Sequence, residues 1–130
     1  MVETLWELPM PATALISGPI FKPLRKRECE LSFAFEGIPC DQRISLILEG
    51  VETYTCTYLT ACTAEMFETA YGKLVNLGDT PELSEIRERL RHAGRQQLRN
   101  LRICFDDGPC FDFVCLGFRV ANTTAVQDSQ

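Results

Sequence analysis

The sequence predicts an α+β fold: a two-layer sandwich in which a five-stranded antiparallel sheet, in the order βββ-αα-ββ, carries two helices on one face and is preceded by an extended N-terminal arm. Three features predict it. Apolar residues alternate with period two from Cys29 to Thr60, the spacing lengthens to three and four from Met66 to Ala93, and two β-like runs flank Asp106-Asp107-Gly108. The chain has 130 residues, 45% hydrophobic and 24% charged, which suits one core and is too apolar for a disordered polymer. Residues 1–28 read as the arm, 29–121 as the domain and 122–130 as a flexible polar tail.

The arm carries Pro9, Pro11, Pro19 and Pro23, each of which removes a backbone donor and biases its predecessor to extended geometry. Its apolar content, from Leu5 and Trp6 to Ile20 and Phe21, predicts that it lies across the domain or a partner. Then Leu31, Phe33 and Phe35, Ile44, Leu46 and Leu48, and Tyr54, Cys56 and Tyr58 or their threonine alternates predict a three-stranded meander. A two-residue Glu49-Gly50 loop pairs Leu48 with Val51, Leu46 with Thr53 and Ile44 with Thr55, keeping aliphatic positions on one face.

Met66, Phe67, Ala70, Tyr71, Leu74 and Leu77 predict a first helix, with Gly78 as its C′ residue. Thr80-Pro81-Glu82 opens a second. Threonine is a good N-cap, proline suits the first helical position, and Leu83, Ile86, Leu90 and Ala93 form the buried stripe, ending near Gly94 or continuing to Leu98.

For the last hairpin a three-residue loop wins over a four-residue one. With a type I turn and a left-handed Gly108, Phe105 opposes Pro109, Ile103 opposes Phe111 and Leu101 opposes Phe113, an apolar face. The Gly108 N–H closes the turn. The other face then sets Cys104 against Cys110 and Arg102 against Asp112 as close, non-hydrogen-bonded pairs.

The seven cysteines are an odd number, so one monomer cannot pair them all, and the absence of CxxC argues against a structural zinc site. The Cys104–Cys110 geometry suits a cross-strand disulfide or oxidation sensor; packing of two reduced thiols explains the same pair without chemistry. Arg87, Arg91, Arg95 and Arg99 recur every four residues and mark a helix face for an acidic partner surface, although glutamates early and arginines late also suit the helix dipole. The net charge of −5 argues against nucleic acid despite Lys22, Arg25, Lys26 and Arg27. The one histidine, His92, falls on the solvent side of its helix with no nucleophile placed beside it. Asp106 and Asp107 are accounted for by the turn.

No catalytic group, cofactor or metal site assembles from the sequence. The unused sheet face, with Tyr54, Tyr58, Cys56, Ile47, Val114 and Leu116, is more apolar than a solvated face should be. These readings point to a small acidic protein-interaction module, with Arg87, Arg91, Arg95, Tyr54 and Tyr58 as partner-binding residues and another protein, or a second copy in a homodimer, as partner. In size and charge the chain resembles small bacterial immunity proteins, a likeness of proportions that rests on no motif; it implies an inhibitor that blocks a partner protein. Two alternatives remain: a homo-oligomeric ligand-binding or enzymatic domain with a cleft near Tyr54, Tyr58, Cys56 and Arg102, and a redox or zinc site joining Cys104, Cys110 and a third cysteine such as Cys56 or Cys115. Glu3 and Glu7 stand where a secretory signal carries basic residues, and Pro11, Ser17, Gly18 and Pro19 break the run from Met10 to Phe21, so a cytoplasmic location without a membrane span is expected.

Overall fold

The computed structural model describes residues 2–37, 40–90 and 97–124. In chain order the elements are β1 Glu3–Glu7, β2 Leu15–Pro23, β3 Cys29–Phe35, β4 Gln42–Glu49, β5 Thr53–Thr57, α1 Ala64–Ala70, β6 Lys73–Asn76, α2 Pro81–Leu90, β7 Arg99–Cys104, β8 Cys110–Cys115 and β9 Gly117–Thr124. The class is α+β, but the strands form two sheets rather than one of five strands: β1-β6-β7-β8-β5 and β2-β3-β4-β9. Both helices pack on the larger sheet.

Alternation in β3 and β4 sends Leu31, Phe33, Phe35, Ile44, Leu46 and Leu48 to one side, where all are fully buried. They meet Leu101, Ile103, Phe105, Phe111 and Phe113 of the larger sheet in one continuous core. Each sheet thus covers the other's most apolar face, so the helices cover only the outer side of the larger sheet. There Met66 and Ala70 of α1 pack with Val75, and Leu83 and Ile86 of α2 with Leu98 and Val114. Residues 3–7 and 15–23 of the predicted arm pair as edge strands, β1 with β6 and β2 with β3. Pro19 and Pro23 are tolerated in β2 because an edge strand spares one row of donors.

The expected meander holds for β3 and β4, whose register runs from Cys29↔Leu48 to Phe35↔Gln42. It fails for β5, which crosses to the other sheet and pairs with β8. β9 takes the vacated place beside β4, from Glu49↔Gly117 to Gln42↔Thr124. The single strand expected after Pro109 therefore breaks at Leu116 and changes sheets, so that β4–β5 and β8–β9 form one antiparallel ribbon folded at a corner. Gly50 sits there with φ +64, and a Cβ on it would lie 2.6 Å from Leu116 Cδ1, so the corner needs glycine for both reasons. The Glu52 N–H donating to the Val114 carbonyl at 2.8 Å bulges the ribbon as it turns.

The predicted helix from Met66 to Leu77 stops at Ala70. Gly72, with φ +67, turns the chain back, and its N–H donates to the Cys104 carbonyl at 2.8 Å. Residues 73–76 then fill the place between β1 and β7, with Leu74 entering the core and Val75 facing α1. Sheet pairing outweighs a helical period carried by only three further residues, Tyr71, Leu74 and Leu77. α2 starts at Pro81 as predicted. Ala93 and Gly94 lie outside the described residues; Leu98 is buried beside β7 and is not helical.

The last hairpin has the predicted register: Leu101↔Phe113, Arg102↔Asp112, Ile103↔Phe111 and Cys104↔Cys110. Gly108 N–H donates to the Phe105 carbonyl at 2.8 Å. The turn is not type I, because Asp107 joins Gly108 in the left-handed region, at φ 59 and 70.

Candidate functional site

Three features of the larger sheet meet near β5 and β8. The first is a cleft of about 190 Å³ between the sheet and the start of α2, in which Thr53, Thr55, Thr80, Glu82, Arg102 and Asp112 stand among the apolar Leu77, Phe113 and Val114. Arg102 Nε donates to Asp112 Oδ1 at 2.7 Å, with both side chains 19% exposed. Burial pushes the Asp112 carboxyl above its ordinary pKa; Arg102 pulls it back and Glu82 pushes it further up. At the cleft floor Asn100, the buried polar side chain of the described residues, accepts from the Thr80 hydroxyl at 2.7 Å, while the same oxygen caps α2 by accepting from Leu83 N–H at 3.1 Å.

The expected cleft residues divide. Arg102 lines the cleft, but Thr53 and Thr55 reach it in place of Tyr54 and Cys56. The reason is register: Thr55 opposes Asp112, whereas Tyr54 opposes Phe113 and Cys56 opposes Phe111, on the sheet's other face. The apolar outer face expected from Tyr54, Tyr58, Cys56, Ile47, Val114 and Leu116 is not one surface: Ile47 lies on β4 of the other sheet. Val114 and Leu116 pack with α2, and Tyr54 lies against Phe21 with ring centroids 4.7 Å apart.

The second feature is the free edge of β5. The N–H of Phe105 donates to the Pro109 carbonyl, and strand alternation from that pair makes Ile103↔Phe111 and Leu101↔Phe113 the hydrogen-bonded pairs of β7 and β8. Cys110, Asp112 and Val114 therefore direct their amides to Thr57, Thr55 and Thr53. Tyr54 and Cys56 direct theirs outward. No strand of the described residues pairs there. From Thr53 to Ala64 the sequence has no charged residue and no proline. Tyr54 is 49% exposed, Tyr58 72% and Leu59 48%.

The third feature is sulfur. Cys104 and Cys110 are opposite, with Cα atoms 4.1 Å apart, joined as a disulfide and fully buried. The third cysteine is neither Cys56 nor Cys115: Cys62 Sγ lies 3.4 Å from Cys110 Sγ. A 3₁₀ turn at Leu59–Ala61 brings it back over the end of β5, a return that no periodicity announces. Among the described residues no group of His, Cys, Asp and Glu is placed to hold a metal ion.

Of the arginine stripe, Arg87 and Arg99 are among the described residues. Arg87 turns inward, donating to the Leu98 carbonyl at 2.7 Å and to Asp79 at 3.2 Å, and so ties α2 to the start of β7. Arg99 lies on β7; Arg91, Arg95 and His92 lie outside the described residues. Arg89 pairs with Glu85 one turn away, as its spacing predicts. Sequence reasoning missed Asn100 and Cys62, whose roles depend on contacts with distant elements.

No protein-family model matches the chain, and neither a curated protein nor a solved structure matches it. Among the described residues no helix is long and apolar enough to cross a membrane.

Proposed function

We propose that this protein is a protein-interaction module whose docking element is the edge of β5, and that the edge is occupied by a second copy of the chain. The observation that carries this reading is an exposed, uncharged edge strand in a chain that is 24% charged. Proteins blunt such edges with lysine, proline or a covering element, and β5 has none of these along Thr53–Thr57. The edge is also self-complementary. Antiparallel pairing about Thr55 sets Tyr54 of one copy against Cys56 of the other, and these are the two residues whose amides point outward, so four backbone hydrogen bonds form with no charge opposed to its like. Tyr54, Tyr58 and Leu59 add aromatic and aliphatic surface at the ends of the new ladder. For association with another protein, the net charge of −5 supports a basic partner surface, the arrangement of an inhibitor.

Sedimentation equilibrium of the full chain tests the reading. A dimer is expected in the micromolar range. Cys56→Pro removes one outward N–H per copy while leaving the β5–β8 ladder intact, and Thr55→Lys sets two like charges opposite each other across the dimer axis. Both variants are expected to be monomeric and to keep the circular dichroism of the parent. A monomeric parent, or a dimer indifferent to both substitutions, overturns the proposal.

A further inference from the structure

The Cys104–Cys110 disulfide exposes no surface, yet one thiol reaches it. Cys62 is half-buried, with Sγ 3.4 Å from Cys110 Sγ and 3.3 Å from the Thr57 carbonyl. It is held from both sides. The 3₁₀ turn Leu59–Ala61 delivers it, and Thr63, immediately after it, caps α1 by accepting from Met66 N–H at 3.3 Å. On the far side α1 closes over Cys104, whose Sγ lies 3.4 Å from the Met66 carbonyl. The Cys62–Cys110 separation is within the range of a near-attack approach.

We propose that Cys62, Cys110 and Cys104 form a thiol–disulfide exchange site, with Cys62 as the entry thiol and a low-molecular-weight disulfide of the glutathione kind as its substrate. Starting from three thiols, the Cys62 thiolate attacks one sulfur of the small disulfide, forming a mixed disulfide and releasing one small thiolate. The Cys110 thiolate attacks Cys62 Sγ, which releases the second small thiolate and joins Cys62 to Cys110. The Cys104 thiolate then attacks Cys110 Sγ, which restores the Cys62 thiolate and leaves Cys104 joined to Cys110. The protein loses two electrons and two protons, and one small disulfide becomes two thiols. Run backwards with excess small thiol, the same steps reduce the buried pair. Without Cys62 the pair is reached only when α1 lifts from the sheet.

Cys56, Cys115 and Cys29 are poorly placed to substitute. Cys56 shares the opposite face of the sheet with Phe111, and burial and the neighbouring Cys62 both raise its pKa. Burial pushes the Cys115 thiol up to about 12 and also raises Cys29. Capture of the small disulfide needs a thiolate that meets it from solvent, so such shifts slow that first attack.

The test uses the full-length reduced protein and oxidised glutathione, with alkylation at timed intervals and mass spectrometry of the linked peptides. The parent is expected to form the Cys104–Cys110 link. Cys62→Ser is expected to slow its formation at least tenfold, and Cys40→Ser, at a free cysteine just before β4, to leave the rate unchanged. Cys104→Ser halts the sequence one step earlier and is expected to accumulate a Cys62–Cys110 link. A smaller loss in Cys62→Ser, or a Cys104→Ser protein that holds glutathione without forming that link, overturns the proposal; if Cys62→Ser does not fold, the Cys104→Ser measurement decides alone.

Discussion

The Thr80 hydroxyl does two jobs with one oxygen, and removing it should be costly out of proportion to its size. Thr80→Val keeps the side-chain shape and deletes the oxygen. α2 then loses the bond from Leu83 N–H at its N-cap, which costs about 1 kcal/mol. Asn100 Oδ1 loses the 2.7 Å donor that it has inside a residue only 4% exposed, and a buried acceptor left unpaired costs about 1–3 kcal/mol. The expected loss is therefore about 2–4 kcal/mol, a large share of the 5–15 kcal/mol typical of a domain. Urea unfolding followed by circular dichroism reads it as a fall in the midpoint at unchanged slope. Thr80→Ser keeps the oxygen and should stay within about 0.5 kcal/mol of the parent. Asn100→Ala in the Thr80→Val background should cost less than Asn100→Ala alone, since the bond is already gone. The reasoning is refuted if valine and serine destabilise equally, or if Thr80→Val loses less than about 1 kcal/mol.

Asp112 should leave a signature in pH. Its native pKa is raised, so above the ordinary value of 3.8 the folded chain holds a proton that the unfolded chain releases, and the stability this contributes below 3.8 is lost as pH rises through the native value. The stability difference between the parent and Asp112→Asn should therefore fall with rising pH in that window; a difference that rises would mean that Arg102 outweighs burial. Phe113 and its register partner Tyr54 should respond unequally to truncation. Phe113→Ala, from a fully buried site, should cost about 3–5 kcal/mol in the same urea assay, and Tyr54→Ala, from a site 49% exposed, less than half as much; equal losses would refute the placement of Tyr54 at the sheet margin.

Much of the local structure is legible in the sequence because the forces that set it act over a few residues. Asp106-Asp107-Gly108 determines the loop length of the last hairpin, and loop length sets the register, so the opposition of Cys104 to Cys110 and of Arg102 to Asp112 follows before any fold is known. Thr80-Pro81 likewise marks the start of α2, where one oxygen and one missing N–H suit the first helical turn. The turn type at Asp107 was not legible, because asparagine and aspartate tolerate both hands of the backbone.

The larger arrangement was decided elsewhere. Alternation shows that a strand has an apolar face, not what covers it; helices and a second sheet bury such a face equally well, and here two sheets bury each other. Gly50 reads equally well as a hairpin turn or as the corner where a ribbon changes sheets. Leu74 continues a helical stripe in sequence, yet residues 73–76 lie between β1 and β7, and the strand gains sheet partners on both sides that a helix end could not supply. Cys62 and Asn100 became chemically interesting through neighbours 48 and 20 residues away. The sequence by itself determined the hairpin, the start of α2, the alternating faces and the acidic balance, all products of short-range chemistry. Tertiary structure alone decided the number of sheets, the free edge of β5 and the meeting of three sulfurs, because each depends on which distant surfaces exclude water from one another.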